Sequence, residues 1–172
     1  GKFELYSTLM EKWNYDPLPQ FREPPESPYS TPELFKEYPY ILITGRRQPG
    51  FFHTENRQIS WLRELHRDPT VEIHPQTAKK EGILEGDWVV IESPRGKVRQ
   101  RAKLFEGMDP RIVSAEHAWW FPEKKGPAYG WDESNINILT DNAYQTCDPA
   151  MGATHVRTLL CRIYPENQGA GL

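Results

Sequence analysis

Four short segments of the sequence carry side chains suited to hold a flat, anionic ligand. The first is Thr-Gly-Arg-Arg at 44–47, which directly follows the apolar run YPYILI. Gly45 would let the backbone approach a ligand closely, and the guanidinium forks of Arg46 and Arg47 match phosphate oxygens. The alternative interpretation is a solvated basic turn, because an arginine pair alone is a weak motif.

The second segment is the pair His53 and Thr54, which together supply a hydrogen-bond donor and an acceptor. Apolar residues recur at helical spacing between positions 59 and 65, so we predict a helix over 54–67. The pair would then lie at a helix N-terminus, where backbone N–H groups favour anions. Thr54 would also serve as the N-cap, a role that is compatible with ligand binding.

The remaining two segments contain aromatic and amide side chains. His117, Trp119 and Trp120 follow an apolar strand and are suited to stack on a heterocycle, or to pack as core aromatics. The stretch NINILTDN at 135–142 is rich in amides and hydroxyls, which suit the polar edges of a ring. Its alternative is a loop of Asx turns.

Motifs for metal or nucleophilic catalysis are missing from the sequence. Cys147 and Cys161 are the only cysteines, and two thiolates cannot hold an iron–sulfur cluster or an all-cysteine zinc site. His117 follows Glu116 without His-Glu-x-x-His spacing, and no Gly-x-Ser-x-Gly elbow occurs. We therefore expect no catalytic residue and no metal ligand in this chain.

The overall charge and hydropathy limit the classes of partner. The 172 residues carry a net charge of −3 and a mean hydropathy of −0.74. This balance provides no global basic field for nucleic acid, and no long apolar run predicts a membrane-spanning helix. We expect no nucleic acid partner and no direct membrane insertion. The compartment stays open, since cytoplasm and periplasm are both compatible with the sequence.

The elements that must position these segments are mainly β. Sixteen prolines and twelve glycines favour loops and short strands over a helical bundle. The predicted strands are YILIT, TVEIH, the two runs that flank Ser93-Pro94-Arg95-Gly96, a strand leading into EHAWW, and VRTLLCRIYPE. A short helix is predicted from Pro75 to Gly82. Many short strands with hairpin turns predict a small closed barrel.

Two further features describe the surface and the arm of this barrel. In the second strand of the predicted hairpin, Val98, Ala102 and Leu104 alternate with basic residues, which indicates that one face of this strand is exposed to solvent. Residues 1–38 are rich in proline and also carry aromatic residues. We expect them to form an extended arm that lies over another surface, with 39–172 as the barrel domain.

Taken in order, these segments resemble the C-terminal domain of the molybdopterin oxidoreductases, the dimethyl sulfoxide reductase superfamily. The matching stretches are GKFELYS; YDPLP with EPPESP; ILITGRR with FHTENRQISWLREL; VEIHPQTAKKEGILEGDWVVIESPRGKVRQRAKLFEGMDPRIVSAEHAWW; and NILTDN with DPAMG and LLCRIYP. The resemblance implies a six-stranded double-psi β-barrel with short flanking helices and an extended proline-rich N-terminal arm.

The resemblance also implies a cofactor, bis(molybdopterin guanine dinucleotide) with molybdenum or tungsten, over which this domain closes in the complete enzyme. The positions that match the family's cofactor contacts are Thr44, Gly45, Arg46, Arg47, His53, Thr54, Asn137, Leu139 and Thr140. His117, Trp119 and Trp120 match a less uniform element of the family and are further candidates.

In relatives, the protein ligand of the metal and the iron–sulfur cysteines lie in upstream domains. We therefore expect this chain to be an excised C-terminal fragment or a separately encoded subunit, which alone neither catalyses nor holds cofactor. The implied partners are an iron–sulfur electron-transfer subunit and the upstream domains of the same catalytic subunit.

Two other hypotheses share the barrel but differ in function. One is a free-standing double-psi barrel that acts as an interaction module, with the arm as its docking segment. The other is an enzyme resembling pyruvoyl-dependent aspartate decarboxylase, whose self-cleavage needs a Gly-Ser bond. No Gly-Ser dipeptide occurs in the sequence, which argues against the decarboxylase.

Overall fold

The computed structural model describes residues 1–45, 48–148 and 150–167. The elements are α1 (Thr8–Lys12), α2 (Pro32–Glu37), β1 (Tyr40–Ile43), α3 (Ser60–Leu65), β2 (Thr70–Ile73), α4 (Pro75–Glu81), β3 (Trp88–Ser93), β4 (Gly96–Leu104), β5 (Ile112–Ala115), α5 (Trp131–Ser134) and β6 (Leu159–Pro165), with 3-10 turns at Ile136–Ile138 and Tyr144–Thr146. Within the described ranges, no helix has the length and apolar character needed to cross a bilayer.

Six strands close into a barrel in the order β1-β5-β2-β4-β3-β6. β1 pairs in parallel with β5, and β2 in parallel with β4. The other neighbouring strands are antiparallel. The mainly β, six-stranded closed barrel predicted from the sequence is therefore confirmed.

These pairings determine which connections share an end of the barrel. β1, β3 and β5 run in one direction, and β2, β4 and β6 run in the other. We call the end where β1, β3 and β5 finish the loop end; it carries the described residues of 44–69, 94–95 and 116–158. The opposite end carries α4 and the turn 105–111, and we call it the helix end.

The barrel interior is filled by aliphatic side chains from all six strands. The predicted alternation in β4 is confirmed, because Val98 and Ala102 are buried while Lys97 and Lys103 are exposed. Gln100 occupies the inward position between the two buried apolar residues and is also fully buried. An amide inside an apolar barrel requires hydrogen-bond partners, and these lie at the loop end.

The helix predicted over 54–67 is wrong at its start. α3 begins at Ser60, with Ile59 as an N-cap whose side chain makes no capping hydrogen bond. His53 and Asn56 have left-handed backbone conformations, with φ of 53° and 71°. Because left-handed residues cannot continue a right-handed helix, residues 53–56 form turns instead.

The arm contacts the barrel at several points, among them the partly buried side chain of Glu26 and a pairing of Glu37 with Arg162 of β6. Glu26 pairs with the guanidinium of Arg95 in the β3–β4 turn. It also accepts a hydrogen bond of 3.0 Å from the backbone N–H of Leu160 at the start of β6. Several of the arm's aromatic side chains, among them Phe3 and Phe21, remain exposed. The division of the chain into 1–38 and 39–172 stays a prediction.

Candidate functional site

The first predicted segment leaves β1 at the loop end. Thr44 is buried, and Gly45 has a φ of 60°. A Cβ atom at Gly45 would lie 2.5 Å from the hydroxyl oxygen of Ser114 on β5. Both the backbone conformation and the close approach therefore favour glycine here. Arg46 and Arg47 lie outside the described residues, so their role as phosphate ligands stays a prediction.

The second and third predicted segments meet each other at this end. His53 Nδ1 and His117 Nε2 are 3.2 Å apart, so one ring donates a hydrogen bond to the other. Trp120 donates its indole N–H to the carbonyl oxygen of Thr54 at 2.7 Å. The expected helix N-terminus at this pair is wrong, since α3 begins only at Ser60. Loop geometry brings the pair together instead.

The environment of His117 favours its neutral form. Burial lowers the pKa of His117 below its ordinary value. The nearby backbone of Thr44 opposes that effect, and the neighbouring His53 lowers the pKa further. A neutral imidazole can share its ring proton with His53 in one hydrogen bond, which suits a paired arrangement.

A buried arginine lies beneath the histidine pair. Arg57 is only 2% exposed, and its guanidinium carbon lies 4.1 Å from the ring centroid of Trp119. Its Nε donates to the carbonyl of Ala118 at 3.0 Å, and its Nη2 donates to the carbonyls of His53 at 3.0 Å and His117 at 3.3 Å. Burial lowers the pKa of Arg57 to about 10, so it remains charged at neutral pH.

The charge of this arginine is balanced by Glu116, which is also buried. The closest atoms of the pair, Arg57 Nη1 and Glu116 Oε1, are 3.7 Å apart. The second carboxylate oxygen lies 2.7 Å from His66 Nε2 and accepts a hydrogen bond from the backbone N–H of Thr70 at 3.2 Å. The carboxylate therefore connects the start of β2 to the segment that follows β5.

Gln100 links this network to the barrel interior. Its side-chain amide donates to the carbonyls of Glu116 at 2.7 Å and Ser134 at 3.1 Å, and its oxygen accepts from the Glu116 N–H at 2.9 Å. Sequence reasoning missed Arg57, Glu116 and Gln100. The available signal was Gln100 itself, a polar residue at an inward position of an alternating strand.

The three aromatic-segment candidates differ in exposure. Trp119 is fully buried and packs in a cluster with Phe51, Leu62 and Phe121. This is the core packing that the sequence left open as the alternative to stacking on a ligand. Trp120 is only partly buried, and His117 contacts His53. The cofactor roles of these three residues stay predictions.

The fourth predicted segment lies between β5 and β6. Leu139 is buried in the barrel core, and its carbonyl accepts hydrogen bonds from Ser93 Oγ at 3.2 Å and Arg95 Nε at 2.7 Å. Asn137 is exposed, and Thr140 donates its hydroxyl to the Asn137 carbonyl at 3.0 Å. The β3–β4 turn therefore fixes this segment at the loop end, with the amide of Asn137 on the surface.

All four predicted segments thus emerge at one end of the barrel. A cleft of about 210 Å³ opens beside the first of them and is lined in part by Gly45, Gln48, Ser114 and Glu116. Across the described ranges, no group of three or more His, Cys, Asp or Glu side chains is placed to hold a metal ion. The arrangement offers a polar, glycine-containing surface that could bind an extended heterocyclic ligand.

Comparison with known families decides the classification. The model of the molydopterin (molybdopterin) dinucleotide binding domain matches residues 40–158, which is more than half of the chain. The chain belongs to this family. The predicted resemblance to the molybdopterin oxidoreductases is thereby confirmed.

Three relatives show the extent of the match to this molybdopterin dinucleotide binding domain. Dopamine dehydroxylase from Eggerthella lenta is 43% identical over 173 residues, which cover 96% of this chain and 17% of the relative. The solved structure of acetylene hydratase from Pelobacter acetylenicus has a TM-score of 0.86 at 31% identity, covering 94% of this chain and 23% of that one. One subunit of sulfite dehydrogenase from Allochromatium vinosum is 34% identical over 99 residues, covering 58% of this chain and 10% of the relative.

The chain spans less than a quarter of the length of each of these relatives. The likeness to acetylene hydratase extends over nearly the whole chain, so the predicted double-psi barrel fold is confirmed. The domain is therefore homologous to one part of much larger proteins.

Proposed function

We propose that this domain closes over bis(molybdopterin guanine dinucleotide), with molybdenum or tungsten, in a larger oxidoreductase. The observation that carries the proposal is the convergence of the predicted segments at the loop end. Gly45 and His53 lie in the connection from β1 to β2, Asn137 lies in the connection from β5 to β6, and both connections share this end.

The residues at this end fit a pterin dinucleotide in their chemistry. Gly45 fits closely against Ser114 of the barrel, while the imidazole of His53 and the amide of Asn137 belong to exposed residues. Such donors and acceptors suit the many hydrogen-bonding edges of a pterin. The bound cofactor would supply the metal centre at which substrate reacts, and these residues would bind and orient the pterin.

The choice of reaction is assigned to the rest of the enzyme. The names of the relatives refer to dopamine dehydroxylation, acetylene hydration and sulfite dehydrogenation, so the same domain serves different chemistries. On this proposal, the domain by itself neither catalyses nor holds the cofactor, because half of a site provides only part of the contacts.

The names of the relatives also suggest which protein partners this domain has. One relative is named as a subunit, so homologues of this domain occur within multi-subunit enzymes. For this chain, we propose contacts with the other domains of one catalytic subunit, together with electron exchange with an iron–sulfur subunit. Co-purification of the complete enzyme under native conditions would reveal both partners.

The cofactor proposal is tested by replacing His53 with Ala in the complete enzyme. Loss of one ligand hydrogen bond should weaken cofactor binding by about 1–2 kcal/mol. The measurement is metal content by elemental analysis and pterin content by fluorescence after oxidation. The matched control is His74→Asn at the helix end, where an acceptor for the backbone N–H of Gln76 is retained. Full cofactor content and unchanged turnover in the His53→Ala enzyme would contradict the proposal.

A further inference from the structure

The histidine pair at the loop end depends on two backbone conformations that are uncommon for these residue types. His53 has a φ of 53°, and Ala118, which follows His117, has a φ of 60°. Residues other than glycine adopt left-handed conformations rarely, and such conformations persist only where surrounding contacts restrain them. The two histidines also come from connections separated by more than sixty residues.

The restraint on both residues comes from one side chain. The three hydrogen bonds of Arg57 go to the carbonyls of His53, His117 and Ala118. These carbonyls belong to the two left-handed residues and to the second histidine. A planar guanidinium can hold several acceptors in fixed directions, which an ammonium group cannot do.

We propose that Arg57 is the positioning residue of the His53–His117 pair, and that it fixes the two imidazoles side by side through their main-chain carbonyls. His53 is exposed whereas His117 is partly buried, so His53 is the member of the pair that reaches a ligand. Arg57 thereby sets where the candidate cofactor surface presents its imidazole. The cofactor part of this inference rests on the proposed function.

A purely structural role for Arg57, as the charge partner of Glu116, makes a different prediction. The closest atoms of that ion pair are 3.7 Å apart, whereas the contacts with the loop carbonyls are 3.0–3.3 Å. Arg57→Lys keeps a positive charge beside Glu116 but removes the planar fork. If only the charge matters, this substitution leaves the histidine pair unchanged.

The chain provides a matched control in Arg63. Its guanidinium carbon lies 5.1 Å from the centroid of the same Trp119 ring, so it shares the aromatic contact of Arg57. Its hydrogen bonds go to the carbonyls of His66 and Arg67 and to Glu123. Arg63→Lys therefore perturbs a neighbouring arginine without touching the carbonyls around the histidine pair.

The test uses the 172-residue chain labelled with nitrogen-15 histidine, which contains only five histidines. In the unsubstituted chain, we expect a nitrogen–nitrogen coupling through the hydrogen bond between His53 Nδ1 and His117 Nε2. Arg57→Lys should abolish this coupling and raise the pKa of His117 toward its ordinary value, while Arg63→Lys should preserve the coupling. Absence of the coupling in the unsubstituted chain, or its survival in Arg57→Lys, would overturn the proposal.

A second measurement on the unsubstituted chain covers the case in which Arg57→Lys does not fold. The Nε–H of Arg57 should exchange with solvent at least about tenfold more slowly than that of Arg63, because it is held by the Ala118 carbonyl in a buried site. Equal exchange rates would show that the guanidinium is not fixed, and would overturn the proposal.

The cofactor consequence is measured separately in the complete enzyme. Arg57→Lys should lower the content of metal and pterin, and Arg63→Lys should not. A lost imidazole coupling with unchanged cofactor content would support the positioning role and contradict the proposed cofactor site. The two ideas can therefore fail independently.

Discussion

At the helix end of the barrel, α4 begins at a capping side chain, His74, and stops at Gly82, whose φ of 68° closes the last turn. At the loop end, the chain is held instead by a buried guanidinium with partners sixty residues away. The start and the end of α4 depend on contacts between near neighbours in sequence, although Thr77 and Lys80 add hydrogen bonds to Pro110 and Tyr40 at this end. The loop end uses contacts that exist only after the barrel has closed.

This difference separates the supporting end of the molecule from the end proposed to bind ligand. Left-handed residues other than glycine occur in the loop-end connections at His53, Asn56, Ala118 and Tyr129. Such conformations and buried ionic groups often mark binding surfaces, because ligand contacts require shapes that regular turns do not provide. The comparison therefore predicts large effects for substitutions at the loop end and small ones at the helix end.

The largest effect is expected for Arg57→Met. This substitution leaves Glu116 buried without its positive partner and deprives three carbonyls of their donor. Breaking a buried pair in this way destabilises a protein by about 3–5 kcal/mol. Urea unfolding followed by circular dichroism would measure the loss.

The control for that experiment lies at the helix end. Arg111 forms an exposed pair with Asp109, and solvent screens such pairs strongly. Arg111→Met should leave the unfolding midpoint where it is. Similar midpoint shifts for Arg57→Met and Arg111→Met would contradict the distinction between the two ends.

Much of the barrel was predictable because its strands follow local patterns. The alternation in β4 and the Pro75–Gly82 helix were predicted from periodicity, proline and glycine, and both agree with the structure. The loop end was less predictable, since Thr54 looked like an N-cap while the helix begins at Ser60. The apolar spacing correctly indicated a helix over 60–65, but the left-handed residues His53 and Asn56 prevent that helix from starting at Thr54.

The network around Arg57 could not be derived from local sequence. The His53 carbonyl is local, but the other partners of Arg57, namely Glu116, His117 and Ala118, lie about sixty residues away and are brought to this end by the parallel pairing of β1 and β5. The family resemblance identified His53 and His117 as separate candidates, and only the structure shows that they form one pair. Long-range pairing is the information that single-sequence patterns lack.

A smaller effect is expected from adding one methyl group at a glycine of each end. Gly45→Ala and Gly86→Ala both force alanine into a left-handed conformation, which costs about 1–2 kcal/mol. At Gly86 the new Cβ meets open space, whereas at Gly45 it lies 2.5 Å from Ser114 Oγ. Thermal unfolding should therefore show a larger loss for Gly45→Ala.

The larger loss of stability expected for Gly45→Ala can be tested separately. Ser114→Ala removes the crowded hydroxyl, so the double variant should recover the difference between the two glycine substitutions. Equal losses at Gly45 and Gly86, with no recovery in the double variant, would show that the close approach is unimportant.

The smallest effect concerns pH and His117. Because burial lowers its pKa in the folded chain, the unfolded chain binds more protons between the folded pKa and about 6.5. The free energy of unfolding should therefore fall as the pH drops from about 6.5 to the pKa of His117 in the folded chain. Below that pKa, protonation of His117 should cause no further loss. His117→Gln should flatten that part of the stability curve measured by urea unfolding. An unchanged slope would mean that the neutral histidine pair does not contribute.

The most direct test of the central claim is a structure of the complete enzyme with its cofactor bound, by cryo-electron microscopy or crystallography. We predict that the pterin dinucleotide contacts the loop end, at residues 44–47, at His53 and Thr54, and at residues 137–140. Residues of the helix end, from Pro75 to Gly86, should make no contact with it. A cofactor that lies against the helix end, or that touches none of the loop-end segments, would contradict the account.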